Sequence, residues 1–199
     1  MSTPQPRPWA ALLLVCTACL APAACSSDGR SADADSAASD SVARLLEAVP
    51  AEARRATGAG GARTSAYWVQ WSTCGEDSRA ETAAANGGRD AGWILVDDLL
   101  ADPGIALGGW PVMTCRDAVA ILQSGAADPL AHLARQLFTA KLNFEAGSGR
   151  CQAASDLVVA GDALLASIEQ SGAATATDST DAASVAALLG TYNAGVLCQ

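Results

Sequence analysis

Apolar positions along this chain form one block near the start and then a series of stripes at helical spacing. The block runs from Trp9 to Ala21. At 13 residues it is too short to cross a bilayer, which takes about 20. Residues 26–41 are mainly Ser, Ala, Asp and Gly with almost nothing to bury, which predicts a flexible tether. Val42, Leu45, Leu46 and Val49 then recur at helical spacing and predict one short helix, weakly docked. Pro50 disfavours helical geometry at Val49, and Gly58-Ala59-Gly60-Gly61 breaks the chain again. From Arg63 the pattern thickens. The stretch Tyr67–Trp71 fits helix and strand equally, and residues 75–90 are polar and glycine-rich, a predicted loop. Trp93, Ile94, Leu95, Val96, Leu99 and Leu100 predict an inward-facing helix stopped at Asp102-Pro103-Gly104, and Ile105 to Met113 an extended connector.

Beyond that point the helix signals are sharper. Thr114 with Asp117 three residues on resembles a capping box and opens a helix from Cys115 to Gln123. Asp128 before Pro129 is an N-cap followed by proline at the first helical position, for a helix reaching Phe144 and ended by Gly147-Ser148-Gly149. A long helix covers about Gln152 to Gln170 despite Gly161 at its middle. A Gly/Thr/Ser loop leads to a last helix from Ala182 to Asn193, with Asp181 as cap and Gly195 as stop. The predicted architecture is therefore all-α: a small disulfide-stapled helical bundle at residues 63–199, a tether at 25–62 and a signal peptide at 1–24.

Composition supports this class. Half the residues count as hydrophobic, many of them alanine, which loses no side-chain entropy in a helix. The net charge of -9 argues against nucleic acid or anionic lipid as the main partner. At the N-terminus, Arg7, the apolar block and the small residues Ala21-Pro22-Ala23-Ala24 read as an export signal. Cys25, followed by Ser26, Ser27 and Asp28, resembles the lipidated cysteine of a bacterial lipoprotein, with Pro22 where that family's lipobox carries Leu. Cys19 is the other candidate, and ordinary cleavage after Ala23 or Ala24 is the alternative to lipidation. The expected location is the cell envelope, with any membrane contact made through a lipid anchor; otherwise the chain is secreted or periplasmic.

Four cysteines lie in the domain: Cys74, Cys115, Cys151 and Cys198. In an exported chain an even count points to two disulfides, and three connectivities are open. There is no CxxC among the four and the chain has one histidine, so no metal site is expected. No cofactor is expected either.

Three ordered segments carry a family resemblance. They are Ala66-Tyr67-Trp68-Val69-Gln70-Trp71-Ser72-Thr73-Cys74, then Thr139-Ala140-Lys141-Leu142-Asn143, then Tyr192-Asn193-Ala194-Gly195-Val196-Leu197-Cys198. Together they resemble an uncharacterised secreted bacterial and archaeal module that opens with Gly-Tyr-Trp-Lys-Asn-Trp-Ser. That module continues through an Ala-Ala-Lys-Leu-Asn helix and ends with Tyr-Asn-Asn-Gly and a cysteine. Ala66, Val69 and Ala194 depart from the pattern. The resemblance covers about residues 64–198 and implies an extracellular envelope setting, without an activity or catalytic residue to carry over. It also implies the pairing Cys74–Cys198 and Cys115–Cys151.

Candidate chemistry is sparse, and no catalytic residue is assigned. The one histidine, His132, shares an arc with Arg135, Gln136, Thr139 and Asn143 on the helix from Pro129, which reads as a solvated polar face. No GxSxG surrounds a serine, so a nucleophilic triad has no support. Asp97 and Asp98 are adjacent and diverge by about 100° on a helix, an unsuitable pair for glycoside hydrolysis. Lys141 projects near the centre of the apolar arc of Leu130, Leu133, Ala134, Leu137 and Phe144, so it needs a partner; Asp97 or Asp98 is the expected one, in a structural ion pair. Tyr67, Trp68 and Trp71 are candidates for binding a glycan or peptide, and core packing is the reading preferred for them. The function expected is a non-enzymatic envelope module for adhesion, scaffolding or recognition, with an envelope glycan or surface protein as partner. The alternative is a cell-wall or glycan hydrolase acting through carboxylates.

Overall fold

The structure, a computed structural model, describes residues 61–101 and 104–198. The predicted signal peptide, Cys25 and the tether helix at 42–49 lie outside the described residues. Seven α-helices and one β-hairpin make up what is described. They are α1 (Ser65–Gln70), α2 (Ala80–Ala85), α3 (Val96–Leu100), β1 (Ile105–Leu107), β2 (Trp110–Val112), α4 (Cys115–Leu122), α5 (Pro129–Glu145), α6 (Gln152–Ser171) and α7 (Ala176–Asn193). The domain is a disulfide-stapled helical bundle, as its pattern predicts.

Side-chain caps place the helices. Thr64 accepts from Tyr67 N at 3.3 Å, which makes the ambiguous aromatic stretch helical. Thr114 accepts from Asp117 N at 3.1 Å and opens α4. Asp128 accepts from Leu130 N at 2.9 Å with Pro129 in the first turn of α5. The last helix starts six residues before Ala182. Thr175 and Asp178 form a reciprocal capping box there, Asp178 Oδ2 accepting from Thr175 N at 2.8 Å and Thr175 Oγ1 from Asp178 N at 3.1 Å. These bonds favour the ionised Asp178 and hold its carboxyl below the ordinary range. Asp181 is therefore inside α7 rather than its cap.

Two polar stretches also fold further than their composition suggests. The glycine-rich segment 75–90 contains α2 and runs into a 3-10 turn at Gly88–Ala91. The connector at 105–113 is an antiparallel hairpin with Ile105 opposite Val112 and Leu107 opposite Trp110. Its turn residues Gly108 and Gly109 have φ of 56° and 94°, the left-handed backbone that two-residue hairpin loops require. Gly108 is needed for a second reason: a Cβ there would lie 2.8 Å from Leu165 Cβ and 2.9 Å from Ala166 N on α6.

Helix α5 runs through the centre, with Leu133, Leu137, Phe138, Ala140 and Leu142 fully buried. Gly161 lets α6 approach it, since a Cβ at that position would already touch Leu133 and Leu137 at 3.4 Å. The other face of α5 meets Ala186, Leu189 and Tyr192 of α7 within the same core.

The disulfides join Cys74 to Cys115 and Cys151 to Cys198. This overturns the pairing Cys74–Cys198 and Cys115–Cys151. The cause is local docking. Thr73, beside Cys74, donates from its N to Asp97 Oδ2 at 2.9 Å, and its hydroxyl approaches Cys115 Sγ at 3.6 Å. At the other end, Tyr192 Oη donates to Gly149 O at 3.1 Å and brings the end of α7 to the start of α6. Each bond closes a separate loop, of 41 and 47 residues, and on the chain-entropy account each stabilises by about 4 kcal/mol. Non-reducing peptide mapping of the oxidised protein is expected to recover Cys74 linked to Cys115 and Cys151 linked to Cys198, and neither crossed species.

Candidate functional site

The arc of α5 that reads as a solvated face is largely interior: Thr139 and Asn143 are fully buried. Asn143 is surrounded by obligate partners. Its Oδ1 accepts from Arg63 N at 2.9 Å and from Trp68 Nε1 at 3.1 Å. Its Nδ2 donates to Arg63 O at 2.8 Å and to Asn193 Oδ1 at 3.0 Å. Asn193 Nδ2 in turn donates to Gln136 O at 3.0 Å and to Gln136 Oε1 at 2.9 Å. Gln136 Nε2 lies 3.2 Å from His132 Nε2. A continuous chain of polar groups thus links α1, α5, α7 and the segment before Thr64. In a low-dielectric interior such bonds are strong, and each orphaned partner would carry a desolvation penalty. Thr139 answers its own burial by donating to Arg135 O at 2.8 Å.

The three segments of the family resemblance meet at this chain, which joins Trp68, Asn143 and Asn193. Packing around it is aromatic. Tyr192 makes an edge contact with Phe144 at 5.3 Å, and burial pushes its hydroxyl up to about 12. The Arg63 guanidinium lies 4.8 Å above the Tyr67 ring and 5.5 Å from that of Trp68.

Lys141 has the partner its position demands, but not the one expected. Its Nζ is 2.5 Å from Asp162 Oδ2 on α6 and donates to Ala106 O at 2.5 Å. Asp162 Oδ1 accepts from Gly108 N at 3.0 Å. One ion pair therefore pins the hairpin onto α5 and α6. Asp97 and Asp98 are engaged elsewhere. Asp97 Oδ1 accepts from the Thr73 hydroxyl at 2.7 Å, and Asp98 Oδ2 accepts from Leu95 N at 2.9 Å at the start of α3. They bind different segments, as adjacent helical residues must, and Lys141 has no role for them.

Trp68 and Trp71 belong to the core, with 0% and 6% of their surface exposed, which removes both as a direct binding face. Tyr67 is half-buried. It stacks on Trp71 at 5.6 Å, and Trp71 stacks on Trp93 at 5.3 Å. The outermost ring of that stack, Trp93, is 36% exposed. Trp110 and Met113, on and just after β2, are 47% and 61% exposed. The sequence pattern assigns Trp93 to an inward-facing helix and Trp110 to a connector, but the helix starts only at Val96, which leaves Trp93 ahead of it and partly outward.

Among the described residues, no cluster of His, Cys, Asp and Glu has the arrangement of a metal site, and no helix is long and apolar enough to cross a membrane. Fold and interior together define a disulfide-stapled helical domain closed around a buried carboxamide chain. Set against known proteins, the sequence matches no family model, no curated protein and no solved structure.

Two substitutions test these contacts. Asn143→Leu removes four hydrogen bonds and leaves Trp68 Nε1 and both Arg63 backbone groups without their partner; denaturant unfolding is expected to show a loss of at least about 3 kcal/mol. Lys141→Met leaves a partly exposed Asp162 with only its bond from Gly108, and a smaller loss of about 1–2 kcal/mol is expected by the same measurement.

Proposed function

We propose that this chain is a non-enzymatic module of the cell envelope, exported and held there through a lipid on Cys25, whose domain serves adhesion, scaffolding or recognition. One observation carries the reading. The side chains best suited to chemistry are engaged in holding the fold together, while large apolar side chains face outward. Lys141 and Asp162 fix the hairpin, Asp97 and Asp98 hold backbone groups, and His132 ends the carboxamide chain. Trp93, Trp110 and Met113 remain presented to solvent. Indole faces suit stacking on sugar rings or on proline-rich peptide, so an envelope glycan or a surface protein is the partner class.

The two disulfides fit an oxidising, extracytoplasmic setting. The lipid anchor rests on Cys25 and the polar residues after it.

The oxidised domain is expected to bind an envelope fraction or a member of a glycan array, and Trp93→Ala with Trp110→Ala to weaken that binding at least about tenfold while the domain stays folded, with a stability loss of about 1 kcal/mol or more from the lost Trp71 stacking. Release of sugar or peptide from the same fractions by the unmodified domain overturns the non-enzymatic reading. In an exporting bacterial host, Cys25→Ser is expected to move the protein from the membrane fraction to the soluble one.

A further inference from the structure

The buried carboxamide chain has a direction, and the direction fixes the chemistry of its last member. At one end Trp68 Nε1 and Arg63 N can only donate, so the oxygen of Asn143 must face them. Its nitrogen then faces Arg63 O, which can only accept, and the Asn193 oxygen. The Asn193 nitrogen consequently faces Gln136 O, again an obligate acceptor, together with the Gln136 side-chain oxygen. That leaves the Gln136 nitrogen, a donor, pointing at His132 Nε2 at 3.2 Å. The histidine nitrogen must accept, so it carries no proton, and the neutral ring holds its hydrogen on Nδ1.

We infer that His132 is a proton-operated latch: neutral, it completes the hydrogen-bond chain that ties α5 to α7, and protonated, it leaves that chain with one donor facing another. Flipping Gln136 to meet the new N–H only moves the conflict to Asn193. Flipping Asn193 moves it to Gln136 O and Asn143, and flipping Asn143 moves it to Trp68 and Arg63. No arrangement of the amides absorbs the proton, so either the chain breaks at one link or the imidazolium swings out of it.

The surroundings oppose protonation as well. Burial, and then the Arg135 guanidinium on the same helix, hold His132 below its ordinary value of 6.5. Arg135 is itself turned to Ser124 O beyond the end of α4, at 2.8 Å. From α7, Gly190 and Asn193 face Gln136, and neither ionises. The acidic Asp178 and Asp181 lie in the first two turns of α7, and its Tyr192 is turned to Gly149. On α6, Asp162 is paired with Lys141. On α4, Arg116 and Asp117 belong to the first turn. Because the folded value is lowered, the stabilising contribution is fully present above about pH 6.5. It is lost as the pH falls from there through the folded value.

His132 is the only histidine in the chain, so its nitrogen signals in a 15N-histidine spectrum of the full protein are unambiguous. The neutral ring is expected as the Nδ1–H tautomer, opposite to the usual preference of free histidine. Gln136→Glu keeps an oxygen for Asn193 and offers a second oxygen to His132; it is expected to switch the ring to the Nε2–H tautomer and to reverse the direction of its titration shift. Between about pH 7 and about pH 5 the parent protein is expected to lose about fivefold more of its folding equilibrium constant than Gln136→Glu does, the worth of one net hydrogen bond. An Nε2–H tautomer in the parent protein, or equal acid sensitivity in the two proteins, overturns the inference. The parent tautomer alone decides the matter if the variant does not fold.

Discussion

The side chain of Asn143, itself fully buried, makes the number of hydrogen bonds that a carboxamide ordinarily sustains, two accepted and two donated. A buried amide of this kind is costly when half satisfied and rigidifying when complete. Completion here needs four parts of the chain at once: α1 for Trp68, α5 for Asn143 itself, α7 for Asn193 and the backbone of Arg63. Alanine-rich helices with few aromatic residues pack by many similar small contacts, which specify position poorly. The carboxamide chain supplies what such packing lacks, because sliding α7 along α5 by one turn would leave several buried donors and acceptors unmatched. The core also receives its largest side chain, Trp68, with the indole nitrogen satisfied.

Around this centre, each other polar contact closes a gap that helices alone leave open. Lys141 and Asp162 seat a hairpin that has no core of its own, and Gly108 allows its turn to rest on α6. The disulfides secure two separate loops, one from just after α1 to the start of α4 that carries α2, α3 and the hairpin, and one that carries α6 and α7. Neither bond crosses between these halves. They are joined through α5, which both pack against, and through the hairpin turn, where Gly108 rests on α6 and donates to Asp162.

Much of this was legible in the sequence. The helical class and the capped starts at Thr114 and Asp128 followed from local chemistry, since caps act within one turn. The start of α7 was misplaced because serines, threonines and glycine read as a loop, although Thr175-x-x-Asp178 carries a helix signature. Lys141 was rightly assigned a partner from its place on an apolar arc. Which carboxylate answered depended on how α6 lies across α5, and spacing along the chain does not encode that. The polar arc of α5 misled for a different reason: periodicity tells two faces apart without saying that both are covered. The pairing of asparagines in separate motifs was the available sign, since Asn143 and Asn193 both stand within segments of the resemblance.

The Arg63 backbone is held from both sides by one carboxamide, its N–H and its C=O each bonded to Asn143, while Gly61 O accepts from Ser148 Oγ at 3.2 Å. A side chain thus does what a neighbouring strand does elsewhere, gripping a stretch of main chain outside any helix or strand by both of its polar groups. Residues 61–63 therefore meet the rest of the described domain at its interior polar centre rather than at a loose loop. Mechanical load carried along the chain from the N-terminal side would arrive at several bonds that share the pull. Tension applied at that end would reach the core, and the shared bonds would resist peeling of residues 61–63.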